Sequence, residues 1–175
     1  MTIKLTLPAL AIVGIMACGQ ATAADSGTIT FTGTILAAAC TVNIGSEAQT
    51  IPMGTISGGS LGTTIGNIAL PTNFTIVIDD CPDPTTNISI RFGGTANTAD
   101  TTILALTTGP AADFGVALFE ANGATRINLN TDSAPQAVPD TGATLNFVAK
   151  LMKTSATPAA AGAYSAAATF SVIYN

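Results

Sequence analysis

The side chains able to do covalent or acid–base chemistry in this 175-residue sequence are few. Of its three cysteines, Cys18 lies in an N-terminal secretory signal. That signal has Lys4 as its positive start, a Leu5–Ala17 apolar run broken by Thr6, Pro8 and Gly14, and a small-residue cleavage site at Ala21-Thr-Ala23. Ile15-Met-Ala-Cys18 looks like a weak lipidation box, but the site just beyond it accounts better for residues 19–23. Cleavage after Ala23 leaves Cys40 and Cys81, and in an exported chain such a pair is most economically a disulfide. Closing that loop stabilises the fold by about 4 kcal/mol in the chain-entropy account. A zinc site fails for want of ligands, because the sequence contains no histidine and two thiolates do not make one.

Catalysis finds no constellation. Acid–base and nucleophilic triads ordinarily use a histidine, and neither a P-loop nor a dinucleotide fingerprint is present. Asp79, Asp80 and Asp83 lack EF-hand spacing and read as a solvated turn bounded by Pro82 and Pro84. The two glutamates, Glu47 and Glu120, make a poor start for a glycosidase pair. No enzyme activity, cofactor or metal is therefore expected. Without Lys4, the bases Arg91, Arg126, Lys150 and Lys153 face ten acidic residues, which disfavours nucleic acid or an anionic membrane as partner. Beyond the signal, nothing approaches twenty apolar residues in a row.

The remaining chemistry is that of the main chain. In Thr28-Ile-Thr-Phe-Thr-Gly-Thr-Ile35, the residues Ile29, Phe31, Gly33 and Ile35 alternate with threonines, as on a strand with one apolar face. Gly33 on that face marks a place where another backbone comes close. At the other end Ala168, Phe170, Val172 and Tyr174 alternate in the same way. We read these two strands as partners that belong to different molecules.

Between them run short strand candidates separated by turn signals. Gln49–Ile56 is the first, followed by a charge-free Gly/Ser stretch to Gly66. Phe74, Ile76 and Ile78 alternate, as do Ile88, Ile90 and Phe92. Ile103–Leu106 is a short apolar run, and Val116–Glu120 and Thr125–Leu129 flank a hairpin signal at Asn122-Gly123. Leu145, Phe147, Ala149 and Leu151 alternate with Asn146, Val148, Lys150 and Met152, a half-buried strand. No stretch sustains a helical period. About eight strands at this spacing predict one all-β, immunoglobulin-like sandwich.

These residues together resemble the major subunits of bacterial chaperone–usher fimbriae, the type 1 pilin family. The resemblance rests on Gly27–Val42 with a glycine seven residues before the first cysteine, and on Asp80-Cys81. It rests also on the penultimate Tyr174, the alternating residues before it, and Gly162 fourteenth from the end. It implies an incomplete sandwich lacking its last strand, with a groove open beside the C-terminal strand. A periplasmic chaperone fills that groove first, and the arm of the next subunit replaces it at an outer-membrane usher. This is recognition by strand addition. On this reading residues 1–23 are signal, 24–35 a donor-strand arm and 36–175 the pilin domain of a surface-exposed fimbrium that supports cell adhesion.

The donor residues are then Ile29, Phe31, Gly33 and Ile35. The acceptor and chaperone-contacting positions are Gly162, Ala168, Phe170, Val172 and Tyr174. Ala37 and Ala39 depart from the family's larger residues and weaken the grip there. Because each subunit gives an arm to one neighbour and takes one from another, the contact is heterologous and makes a filament. The alternatives are a minor adaptor or terminator subunit and, in another class, a self-contained secreted sugar-binding sandwich. The latter is disfavoured by the absence of Trp and the presence of only two Tyr.

Overall fold

The computed structural model describes residues 28–33, 35, 39–57, 59–83, 85–110 and 112–175. The expected signal peptide, the Cys18 box and Ala37 lie outside them. The chain divides into two units, residues 1–34 and 35–175. In the first, the described residues 28–33 form no strand, and Ile29 and Phe31 are exposed.

The second unit opens with β1 (Thr41–Val42) and one turn of helix, α1 (Ile44–Glu47), whose first turn Asn43 caps by accepting from the Gly45 amide. Then come β2 (Ile68–Asp79), β3 (Asn87–Gly94), β4 (Leu104–Ala105), β5 (Phe114–Glu120) and β6 (Arg126–Ile127). β7 (Gln136–Ala137), β8 (Ala143–Lys153) and β9 (Ala168–Tyr174) complete it. All named pairings are antiparallel. The larger sheet has the order β1-β2-β8-β5-β4, with β6 beside β5, and the smaller is β7-β3-β9.

Alternation decides which side chains meet between the sheets. In β2 and β8, Phe74 sits opposite Phe147 and Ile76 opposite Leu145. In β3 and β9, Ile88, Ile90 and Phe92 oppose Tyr174, Val172 and Phe170. Phe92 of the smaller sheet packs edge-on against Phe147 at 5.1 Å and Phe74 at 6.1 Å, so three rings from both sheets fill the centre. Cys40 and Cys81 form the expected disulfide, with their Cα atoms 4.1 Å apart.

Three expectations change. Gln49–Ile56 is not a strand: Pro52 lacks an N–H, Gly54 turns the chain at φ +83°, and the segment finds no ladder. The Asn122-Gly123 hairpin exists, but only Gly123 has positive φ. Residues 121–124 form a longer loop in which Asn122 Oδ1 accepts from the Ala124 and Thr125 amides. The second face of β8 is not simply solvated, because Val148 and Met152 join Ile103, Ala117 and Phe119 in a separate buried cluster. Lys150 Nζ stands 4.5 Å from the Phe119 ring and donates to the Gly123 carbonyl, covering that cluster with its stem. Within β2 lies Pro71, and a bulge between Ala69 and Thr72, with Leu70 at φ +53°, accommodates it.

Candidate functional site

β9 is paired with β3 on one edge, and among the described residues no strand lies on the other. Beside that edge an apolar groove of 1410 Å³ opens into the core. One wall is Gln49–Ile56, where Ile51, Met53 and Ile56 are half-buried while Thr50, Pro52 and Gly54 are exposed. Among the described residues, this segment makes no main-chain hydrogen bond of its own. Its one side-chain hydrogen bond among the described residues is Gln49 Nε2 donating to the Thr75 carbonyl at 2.9 Å, and Met53 and Ile56 pack against the core. The other wall is the run leading into β9, with Gly162, Tyr164, Ala168 and Phe170 among its residues. The floor is core: Phe74 and Ile76 of β2, Phe92 of β3, Val116 and Leu118 of β5, and Leu151 of β8.

A hydrophobic floor open to water beside unpaired peptide groups is the worst exposed edge a sandwich can present. The unpaired wall and the free edge of β9 offer donors and acceptors to an inserted strand, and the floor offers apolar contact to every second side chain. The arrangement can add a strand. Among the described residues it brings together no acid, base and nucleophile. Gly58-Gly-Ser60-Leu-Gly62 fits the letters of a nucleophile elbow, yet Ser60 Oγ donates to the Ser57 carbonyl in an exposed turn, and the sequence has no histidine to activate it.

The β9 wall is pinned from below by a polar hub. Asp113 Oδ1 accepts from Ser155 Oγ at 2.6 Å and Thr157 Oγ1 at 2.9 Å, and Oδ2 accepts from the Ala160 amide at 3.3 Å. Those hydroxyls, then that amide, hold its carboxyl down at about 2; the Lys153 ammonium, 3.5 Å away, adds less. Lys153 is fully buried, with its Nζ 4.9 Å from the Phe114 ring and donating to Ser155 Oγ at 3.0 Å. Further along, the Thr107 amide donates to the Ser165 carbonyl at 2.8 Å, tying the wall to the larger sheet before the chain crosses to β3. Tyr164, packed against the core, has a buried hydroxyl with no hydrogen-bond partner among the described residues, and burial raises its pKa.

The residues expected at the acceptor site do not all lie in the groove. Gly162, Ala168 and Phe170 line it, whereas Val172 and Tyr174 continue β9 beyond it and pack against the core. Tyr174 Oη instead accepts the Cys40 amide at 2.8 Å. Of the expected donor residues, Ile29, Phe31 and Ile35 are 79%, 89% and 97% exposed, and a side chain at Gly33 would meet open space. The Gln49–Ile56 wall and the Asp113 hub escape sequence reading. Pro52 and Gly54, as breakers inside an apolar run, were the signal available for the wall.

An immunoglobulin-like all-β sandwich with a strand's width left open defines a class of assembly subunits. The fimbrial protein family matches residues 29–175, and the chain belongs to it. It is similar to the type-1 fimbrial protein A chain of Escherichia coli (strain K12), 32% identical over 174 residues covering 96% of this chain and 94% of that one. It is also similar to the major MR/P fimbria protein of Proteus mirabilis (strain HI4320), 33% identical over 159 residues and 89% of each chain. Among solved structures, the P pilus rod subunit PapA superposes with a TM-score of 0.66 at 19% identity, covering 79% of this chain and all of that one, a likeness of fold. The chain is a structural subunit of surface fimbriae, in a family that is not one of enzymes.

Proposed function

We propose that this fimbrial subunit polymerises by strand exchange, with the arm at residues 24–35 of one copy entering the groove of the next. The observation that carries it is the open groove beside the free edge of β9, matched in the same chain by an exposed segment of alternating apolar residues. Ile29, Phe31 and Ile35 gain roughly 1.5–3 kcal/mol each on burial, and each main-chain hydrogen bond adds about 0.5–1.5 kcal/mol. Ordering the arm returns part of this. The retained share, realised along a whole strand, makes release slow. Until the arm arrives the groove needs cover, and a periplasmic chaperone supplying a strand of its own, with an outer-membrane usher to receive the exchange, meets that need. A self-contained sugar-binding sandwich gives no reason for an exposed segment of alternating apolar residues.

Deleting residues 24–35 should leave a folded, disulfide-bonded subunit that reaches the chaperone and extends no fibre, as read by electron microscopy and by heat-resistant ladders on gels. Gly33→Leu should also block extension by overfilling the groove. Normal fibres from the deleted chain would refute the mechanism.

A further inference from the structure

Tyr174 does something other than line the groove. Its hydroxyl, at the end of β9, accepts the Cys40 amide across 134 residues of sequence. Cys40 immediately precedes β1, where Thr41 pairs with Asp79 in the larger sheet, and its sulfur is bonded to Cys81. Those two fastenings hold Cys40 to the β2 side of the sandwich. The Tyr174 bond is different, since Tyr174 pairs with Ile88 in the smaller sheet. The last residue secures it there: the Asn175 amide donates to the Asn87 carbonyl at 3.0 Å, and Asn175 Nδ2 to Ser89 Oγ at 2.8 Å. With the side chain half-buried, the bond faces limited competition from water.

An amide held in place cannot swing about its own N–Cα bond, so this hydrogen bond restricts the direction in which the chain before Cys40 departs. We propose that Tyr174 is a positioning residue: through its bond to the Cys40 amide, the strand that receives one neighbour's arm also aims the subunit's own arm at the next. The inference rests on the strand-exchange reading. Its consequence is that the angle between an accepted arm and a donated one, and hence the bending stiffness of the filament, depends on a single hydroxyl.

Tyr174→Phe removes that hydroxyl and keeps the ring. In the full chain, hydrogen exchange at the Cys40 amide should accelerate roughly three- to tenfold, the loss of one hydrogen bond. Fibres assembled from the variant should show a shorter persistence length in electron micrographs. A purely structural hydroxyl would lower the unfolding midpoint while leaving fibre stiffness as it was. Unchanged exchange at Cys40, which can be read in the unassembled chain even if the variant makes no fibres, would overturn the proposal, as would unchanged stiffness. Fibres formed without residues 24–35 would instead refute strand exchange itself, so the two failures are distinguishable.

Discussion

At the scale of single residues, Asp113 shows how polar chemistry serves an apolar groove. A carboxylate takes two hydroxyls and an amide from the segment 155–160, and that segment becomes the groove wall. Its folded pKa of about 2 lies below the unfolded value near 3.8, so its contribution is fully present above the unfolded value. It is lost as pH falls through the folded one. Asp113→Asn should therefore lower the denaturant midpoint at neutral pH, and the gap to the wild type should narrow between about pH 4 and pH 2. Parallel curves across that window would mean that the hub does not carry the wall. Nothing in the sequence announced this residue, because an Asp before Phe-Gly-Val reads as an ordinary strand start until Ser155 and Thr157 are seen to converge on it.

At the scale of elements, legibility followed period and partnership. β2, β3, β8 and β9 could be read because each alternates toward one core and has a neighbour to pair with. Gln49–Ile56 misled because its apolar content is genuine but its pairing partner is not supplied by this chain's own sheet, so an apolar run became a wall rather than a strand. The alternation at residues 28–35 reads as a strand, yet the described residues 28–33 form none, since a strand needs a second strand. The outer cluster on β8 was hidden for another reason. Lys150 and Val148 look like a solvent face until Phe119 and Ile103 cover it from elements distant in sequence. The elements flanking the groove should also differ in their tolerance of truncation. Phe92, 3% exposed and wedged between Phe74 and Phe147, should cost about 3–5 kcal/mol when changed to Ala. Phe170, half-buried on β9 and facing the groove, should cost clearly less in the unassembled chain and more once the groove is filled. Denaturation of subunit and fibre side by side measures both, and equal costs for Phe170 in the two forms would show that its environment does not change on assembly.

At the scale of the whole molecule, the sandwich has enough interior to fold and, among the described residues, leaves one strand's place unfilled. Such a chain should behave as a receptor for its own N-terminal sequence. Any ligand that binds the folded form alone raises its stability by an amount fixed by concentration over Kd, about 2.7 kcal/mol at a hundredfold excess. For a domain of this size that corresponds to roughly 5–10 °C in Tm. A synthetic peptide of residues 24–39, added to the chain lacking residues 24–35, should produce such a rise. The same peptide with Phe31 and Ile35 changed to Asp should not, because two carboxylates cannot follow the strand into an apolar floor. A second control exchanges each threonine with its apolar neighbour throughout residues 28–35. It keeps the composition and moves the apolar set to the other face, so it too should leave Tm where it was. Equal stabilisation by all three peptides would mean that the groove takes up peptide with neither apolar selection nor register, and a groove without register could not build a filament whose subunits repeat at a fixed spacing.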